Sequence, residues 1–349
     1  MSNQNFQMLK ELPILLDESQ CVLHKHELLI CGGKFERACY SYHTIKNEYK
    51  FICNYPSNVE LWGHCVVTLV NNNKNNKDSN QITLLSFGGS KYMQRHTLVM
   101  KYISVWNNLS NKLKNCNEWT HFTDNHNHPI IIGKDNDDCV GVRAVIGGTN
   151  NHLLFITHRS KKISVFDLNT LKFIKHDTLP TNDHIWYHCF VSTSENGQGQ
   201  GMMKTNQQNN KMLLFCAKTG LSIEYDEDNN NFKFHQLSVC KDIAPFKYYA
   251  MCVSMMSSCS LVDGMVLLVL MLCVAILSEE NDRIHIIGGQ NDTETTLTHM
   301  RTNVNKFNYV KNNKQSKDKI KLIIEYWIRN LKIKLGWIDD FDTIITKYR

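Results

Sequence analysis

LLICGG at residues 28–33 recurs with substitutions as LLSFGG (84–89), RAVIGG (143–148) and IHIIGG (284–289) in this 349-residue chain. Each copy is a short apolar run that ends in two glycines. The first three diglycines are 56 and 59 residues apart, and a gap of 141 residues precedes the fourth. Recurrence at such intervals predicts one structural unit used repeatedly, with further degenerate units in the gap. The glycines are Gly32, Gly33, Gly88, Gly89, Gly147, Gly148, Gly288 and Gly289.

Aromatic residues follow the glycines in a fixed register. Three pairs lie seven residues apart: Tyr42 and Tyr49, Phe166 and Phe173, Tyr225 and Phe232. In the second unit Trp119 follows Tyr102 after a long polar insertion, and we interpret it as the displaced second aromatic. The next unit then opens on a Cys-centred apolar run, as in LWGHCVV and IWYHCFV. One unit therefore reads strand, strand, Gly-Gly, strand, strand.

A unit of four short strands makes a small antiparallel sheet with two faces to cover, and radial stacking covers both. The pattern of apolar run, diglycine and spaced aromatics resembles the kelch repeat family over about residues 6–310. The resemblance implies an all-β propeller of about six blades. The aromatics are expected to pack between neighbouring blades, and the units start near Cys21, Cys65, Cys139, Cys189, Cys252 and Cys273.

Two units depart from the pattern. The fourth has Phe215 and Cys216 where the diglycine is expected, and the fifth, within residues 251–277, has neither a diglycine nor an aromatic pair. The segment from Phe6 to Pro13 matches the end of a unit, so we expect it to supply the outer strand of the last blade and close the ring.

The apolar run 251–277 permits two interpretations. Asp263 is its only charged residue, and its length exceeds the roughly 20 residues that span a bilayer, which is typical of a transmembrane helix. Alternatively, Asp263 and Gly264 form a tight turn between two buried strands of the propeller. The second interpretation is favoured because a helix here would interrupt the order of repeats.

Residues 311–349 abandon the strand pattern, and we predict a basic amphipathic helical tail. Eight basic and two acidic residues between Lys311 and Lys334 give a balance of +6, equal to the net charge of the chain. Such a helix can dock on its own propeller, at a dimer interface, on an anionic membrane or in a calmodulin-like groove. Its candidate interaction face comprises Ile320, Ile324, Trp327, Leu331 and Leu335.

Motifs for catalysis or cofactor binding are absent from the sequence. His121, Asp124, His126 and His128 could surround a divalent metal, but no second ligand group with recognisable spacing completes the set. His64 and His188 occupy the same place in two repeats, which indicates packing. The thirteen cysteines contain no CxxC motif and favour reduced core thiols. We therefore expect no catalytic, cofactor or metal residues.

The resemblance implies a non-enzymatic protein-interaction scaffold with unidentified protein partners. Nucleic-acid binding is not expected, because the positive charge is confined to one helix without aromatic interleaving. We expect a cytoplasmic protein, since the first residues lack the features of a secretory signal. The alternative is a membrane-associated protein held by the apolar run 251–277 or by the basic tail.

Overall fold

The computed structural model describes residues 7–70, 81–90, 93–107, 115–133, 137–192, 209–239, 249–253, 265–271, 274–278, 283–289, 295 and 297–303. All regular elements in these ranges are β-strands. The predicted tail, including its face from Ile320 to Leu335, lies outside the described residues.

The strands form five four-stranded antiparallel sheets and one two-stranded sheet. β1 (Gln7–Met8) belongs to the last sheet of the chain. Blade 1 contains β2 (Gln20–His24), β3 (Glu27–Gly33), β4 (Glu36–His43) and β5 (Glu48–Asn54). Blade 2 contains β6 (Cys65–Leu69), β7 (Gln81–Ser90), β8 (Met93–Ile103) and β9 (Trp119–His121).

Blade 3 contains β10 (Arg143–Gly147), β11 (Leu153–His158), β12 (Lys162–Asp167) and β13 (Lys172–Thr178). Blade 4 contains β14 (Cys189–Ser192), β15 (Asn209–Cys216), β16 (Thr219–Asp226) and β17 (Asn231–Gln236). The two-stranded sheet pairs β18 (Tyr249–Val253) with β19 (Met265–Met271). The closing blade contains β20 (Val274–Leu277), β21 (Arg283–Ile287), β22 (His299–Asn303) and β1.

The first strands of successive sheets line a closed ring. β2 contacts β6, β6 contacts β10, β10 contacts β14, β14 contacts β18, β18 contacts β20, and β20 returns to β2. The apolar faces of neighbouring blades meet in shared clusters, such as the one that joins Phe155 of blade 3 to Tyr225 of blade 4. This radial arrangement is a β-propeller.

The propeller has fewer complete blades than the six that the sequence predicts. The described strands form five four-stranded blades, and a two-stranded sheet occupies the position of the fifth unit. The run 251–277 lacks the diglycine and the aromatic pair that accompany the later strands elsewhere. Its described parts are strands β18, β19 and β20, and no helix among the described residues is long and apolar enough to cross a membrane.

The N-terminal strand closes the ring as predicted. Gln7 pairs with Arg301 and Met8 with Met300, so β1 is the fourth strand of a sheet whose other three strands begin at Val274. The chain then runs beside β22, where the Leu9 amide donates to the carbonyl of His299 at 2.9 Å. The two ends of the propeller are therefore joined by backbone hydrogen bonds.

Three diglycines end the second strand of a blade, as the repeat unit predicts: Gly32–Gly33, Gly88–Gly89 and Gly288–Gly289. The third diglycine departs from the prediction, because Gly147–Gly148 ends β10, which is the first strand of blade 3. The equivalent of the diglycine in that blade is the end of β11, at Thr157 and His158. Both strands are short apolar runs, so the sequence alone did not separate them.

The paired aromatics lie opposite each other on the third and fourth strands. Tyr42 pairs with Tyr49, Phe166 with Phe173 and Tyr225 with Phe232, with ring centroids 4.9, 5.1 and 4.9 Å apart. They also pack between blades, since Tyr42 contacts His299 of the closing blade. In blade 2, Trp119 lies opposite Met100 rather than Tyr102, and it stacks on Tyr55 of blade 1 at 4.6 Å.

Candidate functional site

Within the described residues, the segments that lead from one blade to the next lie at one end of the ring; we call these segments connectors and this end the connector face. Because the strands are antiparallel, the turns between second and third strands lie at this same end. In blade 1 the turn Lys34–Phe35 is fixed there by two connectors. The Lys34 amide donates to the Asp17 carbonyl at 3.0 Å, and the Phe35 amide donates to the Leu61 carbonyl at 2.9 Å.

Two connectors meet across the ring at the connector face. The Tyr187 hydroxyl, just before blade 4, donates to the Glu18 carboxylate, just before blade 1, at 2.8 Å. Blades 1 and 4 are three positions apart in a ring of six sheets, so this hydrogen bond spans the central channel. Both residues are buried, and both have left-handed backbone, with φ of 53° at Glu18 and 48° at Tyr187.

Two glycines allow the connectors before blades 2 and 3 to join this contact. The Gly141 amide donates to the Gly63 carbonyl at 2.8 Å, and the Tyr187 amide donates to the Gly141 carbonyl at 2.9 Å. A Cβ on Gly63 would lie 2.4 Å from the Gly141 nitrogen and 2.8 Å from the Tyr187 hydroxyl. Only glycine fits here, because the connectors approach each other at backbone contact. We call Glu18, Gly63, Gly141 and Tyr187 the axial cluster.

Positive charge lies beside the buried carboxylate of the axial cluster. Burial raises the pKa of Glu18, and the hydrogen bond from Tyr187 and the charges of Lys34 and Arg143 oppose that rise. The Lys34 ammonium is 3.9 Å from the Glu18 carboxylate, and the Arg143 guanidinium lies 5.8 Å from the centroid of the Tyr187 ring. The carboxylate is therefore both hydrogen-bonded and charge-compensated, as a buried ionisable group requires.

An exposed aromatic pair adjoins the axial cluster. Phe35 is 60% exposed and Trp62 is 37% exposed, and their ring centroids are 5.8 Å apart. The Lys34 ammonium lies 5.4 Å from the centroid of Trp62 and 6.0 Å from that of Phe35. The same lysine therefore contacts the buried carboxylate of Glu18 and the exposed rings. We call Phe35, Trp62 and Lys34 the aromatic patch.

The backbone of Phe35 is in an uncommon conformation. Its φ is 58°, in the left-handed region that bulky residues rarely adopt. The turn that holds it is anchored to the Leu61 carbonyl, next to Trp62. The turn therefore holds the Phe35 side chain at the surface, beside Trp62.

A second aromatic contact continues the connector face towards blade 3. The Arg159 guanidinium lies 4.2 Å from the ring centroid of Trp186 and 3.3 Å from the Asp138 carboxylate. Trp186 also contacts Tyr187 of the axial cluster, with ring centroids 5.6 Å apart. Aromatic side chains therefore extend across the face from Phe35 to Trp186.

The candidate metal ligands do not form a site. Asp124 accepts hydrogen bonds from the backbone amides of His126 and His128, each at 2.8 Å, and its second oxygen contacts the His128 ring. The carboxylate is thus used within its own turn. Within the part of the chain that the structure describes, no group of three or more His, Cys, Asp or Glu residues is placed to hold a metal ion.

The two repeated histidines are buried, as expected for packing residues. His64 Nε2 lies 2.8 Å from the Cys31 carbonyl oxygen of blade 1, and His188 Nε2 contacts the Thr157 hydroxyl of blade 3. Each histidine therefore joins its own blade to the preceding one. Neither ring is available to a ligand in solution.

Sequence reasoning did not identify the aromatic patch or the axial cluster. A signal was present, because Trp62 and Trp186 each precede a Cys-centred strand by three residues in LWGHCVV and IWYHCFV. Strand-start cysteines are buried core residues, whereas the tryptophans lie outside the strands and reach the surface. The tryptophan that twice precedes a strand cysteine by three residues was therefore the sequence signal for the connector face.

Comparison with protein-family models finds no match, and comparison with curated protein sequences finds none either. Among solved structures the chain is similar to YjhT, a kelch-type propeller, with a TM-score of 0.52 and 11% identity. The alignment covers 84% of this chain and 95% of YjhT. A chain of the mitotic checkpoint complex aligns with a TM-score of 0.42 and 9% identity, over 85% and 90% of the two chains. At this identity the similarity to YjhT shows the β-propeller fold alone.

Proposed function

We propose that this chain is a divergent kelch-type propeller that acts as a non-enzymatic protein-interaction scaffold. Its partner binds the connector face. Support for the kelch assignment comes from the repeat pattern in the sequence and from the similarity to YjhT. Support for binding comes from the aromatic patch.

The observation that carries the proposal is the exposed pair Phe35 and Trp62. Large aromatic side chains are enriched at protein interfaces, where they supply contact area at a low cost in conformational entropy. The axial cluster joins connectors across the ring at this end, and the aromatic patch lies beside it on the surface. A surface of this kind suits a protein segment better than a small molecule, which needs a concave pocket.

The positive charges beside the aromatic side chains determine which kind of partner segment is favoured. Lys34 is held against Trp62 and Phe35 and is partly exposed, and Arg159 is similarly placed against Trp186. Cations fixed on aromatic faces favour a partner segment that brings an apolar side chain together with a carboxylate. An acidic segment with an aromatic or aliphatic anchor is therefore the proposed ligand class.

The test is selection of peptides from a random display library on the immobilised full-length chain. Dissociation constants of the selected peptides are then measured for Phe35→Ala and Trp62→Ala. Each substitution should weaken binding by tenfold or more, which corresponds to at least about 1.4 kcal/mol.

Ile45→Ala is the matched control, because Ile45 is 70% exposed but lies in the turn between β4 and β5, at the opposite end of the ring. It should leave the dissociation constants unchanged. Peptides that bind equally well to all three variants, or a selection that yields no binders, would contradict the proposed function.

A further inference from the structure

The positive charge of the aromatic patch faces a buried carboxylate of the same chain. The Lys34 ammonium lies 3.9 Å from Glu18 Oε1, and the Glu18 side chain is 3% exposed, whereas that of Lys34 is 31% exposed. The other oxygen of this carboxylate, Oε2, accepts the hydrogen bond from the Tyr187 hydroxyl. Lys34 therefore reaches both a buried anion and the solvent.

The charges around Glu18 compensate one another. Asp17 and Arg143 also act on its carboxyl, where Asp17 raises the pKa and Arg143 lowers it. Asp17 is itself buried, and the charge of Lys34 acts on it as well. Two carboxylates are thus set against two cations. The ammonium of Lys34 therefore attracts an anion from solution less strongly than an uncompensated ammonium would.

The position of Lys34 does not depend on this ion pair alone. Its backbone amide donates to the Asp17 carbonyl at 3.0 Å. Its ammonium lies 5.4 Å from the ring centroid of Trp62 and 6.0 Å from that of Phe35. Removal of the charge on Glu18 should therefore leave Lys34 in the aromatic patch and make its charge available to a ligand.

We propose that Glu18 competes with the partner's carboxylate for Lys34 and so limits the affinity of the aromatic patch for an acidic segment. The inference rests on the proposed function of the connector face. Two carboxylates near one ammonium repel each other, so the partner's carboxylate gains less from Lys34 while Glu18 is ionised. Glu18 is buried and acts through Lys34. It determines how strongly an acidic segment is preferred over a neutral one.

The same competition makes binding depend on pH. Burial raises the pKa of Glu18, and it raises that of Asp17 as well, so both carboxyls take up protons at a higher pH than exposed ones do. The charged and titratable groups that act on Glu18 are Asp17, Lys34, Arg143 and Tyr187. An exposed aspartate of the partner, with a pKa of about 3.9, stays ionised down to about pH 5.5. The preference for an acidic segment should therefore increase as the pH falls.

The test uses two N-acetylated tripeptide amides, Asp-Trp-Asp and Asn-Trp-Asn, which differ in charge but hardly in size. The full-length chain is labelled with 5-fluorotryptophan, and the fluorine NMR signal of Trp62 is assigned by its loss in Trp62→Phe. Titration of this signal gives a dissociation constant for each peptide. The preference is the constant of the neutral peptide divided by that of the acidic one.

Glu18→Gln should raise this preference about threefold or more, because the charge that competes for Lys34 is gone. The glutamine side-chain carbonyl can still accept the hydrogen bond from Tyr187. Lys34→Met should lower the preference below that of the unsubstituted chain. A fall from about pH 7 to about pH 5.5 should raise the preference of the unsubstituted chain and change that of Glu18→Gln less, which a merely structural role of Glu18 would not produce.

Glu224→Gln is the matched control. The Glu224 carboxylate also pairs with a lysine, 3.3 Å from the Lys211 ammonium, but it lies within blade 4, away from the aromatic patch. It should leave the preference unchanged. An unchanged or lower preference in Glu18→Gln would overturn this inference and leave the proposed function intact. If neither peptide shifts the Trp62 signal, the proposed function fails and this inference fails with it.

Two measurements decide the matter if Glu18→Gln does not fold. They are the preference of Lys34→Met, whose substituted side chain is partly exposed, and the pH dependence of the unsubstituted chain. A preference that changes in neither measurement would overturn the inference.

Discussion

The Tyr187 hydroxyl donates a 2.8 Å hydrogen bond to the Glu18 carboxylate, although the two residues are 169 positions apart in the sequence. They precede the first strands of blades 4 and 1, on opposite sides of the ring. The propeller is therefore held together across its axis as well as around its circumference. The Lys34 ammonium lies 3.9 Å from the same carboxylate and also contacts the exposed side chains of Phe35 and Trp62. Lys34 therefore links the buried hydrogen bond to the aromatic patch.

Tyr187→Phe tests the hydrogen bond across the axis. The substitution leaves a buried carboxylate without its hydroxyl donor and keeps the ring. Loss of a hydrogen bond to a charged group costs about 1.5–3 kcal/mol, so the free energy of unfolding should fall by that amount in urea denaturation. Tyr40→Phe serves as the control, because no hydrogen bond is found for the Tyr40 hydroxyl in the described contacts. Equal effects of the two substitutions would argue against the contact.

Gly63→Ala tests the close approach of the connectors. The new Cβ would meet the Gly141 backbone nitrogen at 2.4 Å, in addition to the strain of φ at +58°. We expect a loss greater than the roughly 1 kcal/mol that left-handed backbone alone costs an alanine. Gly133→Ala is the comparison, because Gly133 also has positive φ but its Cβ would meet only the Cys139 sulfur, at 3.2 Å. The melting temperature of Gly63→Ala should be well below that of Gly133→Ala.

Removal of residues 1–14 tests the closure of the ring. The truncation deletes β1 together with Leu12, which is buried against the closing blade and blade 1. It exposes the edge of β22 and breaks the sheet that joins the two ends of the propeller. The melting temperature should drop by several degrees or more, because sheet closure is what protects such edges. An unchanged melting temperature would mean that β1 contributes nothing to closure.

Leu16 and Leu15 provide a matched pair in the same connector. Leu16 is fully buried against Gly33 and Gly288, the diglycines of two neighbouring blades, whereas Leu15 is 52% exposed. Leu16→Ala should cost about 2–5 kcal/mol, and Leu15→Ala should cost less than about 0.5 kcal/mol. Chemical denaturation measures both. Similar losses of stability in the two variants would mean that Leu16 is not more buried than Leu15, contrary to the structure.

Buried histidines make the fold sensitive to acid. Burial lowers the pKa to about 4 in His64 and His158 and to about 3 in His96, and it lowers the pKa of His188 and His299 well below the usual value. Below about pH 6.5 the unfolded chain binds protons that the folded chain does not. Stability should therefore fall from pH 7 to pH 5, by roughly 2 kcal/mol for each of His64, His96 and His158.

The measurement is the free energy of unfolding against pH. Replacing His64 with glutamine should reduce the slope between pH 6 and pH 5 by about one proton. A stability that stays constant over this interval would show that the histidines are protonated within the fold.

Much of the fold could be predicted from spacing. Aromatics seven residues apart lie opposite each other, because the third and fourth strands form a hairpin whose length sets that interval. The N-terminal strand was found because Phe6 and Pro13 repeat the end of a unit. The number of blades was overestimated, since an apolar run of sufficient length does not by itself supply four strands.

The candidate site was not predictable in the same way. Glu18 and Tyr187 are brought together only by the closure of the ring, a relation between distant segments that leaves no periodic trace. The position of Gly147–Gly148 shows the same difficulty at short range, because two consecutive apolar strands are equally good candidates for the second strand of a blade. The exposure of Phe35 follows from a left-handed turn residue that composition does not reveal.

The most direct test is photocrosslinking in cells of the organism that makes this protein. A photoreactive phenylalanine analogue replaces Phe35 in one variant of the full-length chain and Phe51 in another. Phe51 is 52% exposed but lies on the outermost strand of blade 1, away from the connector face. Irradiation should produce a discrete covalent adduct with a partner protein from position 35 and none from position 51. The same adducts from both positions, or no protein adduct from position 35, would contradict a scaffold that binds through its connector face.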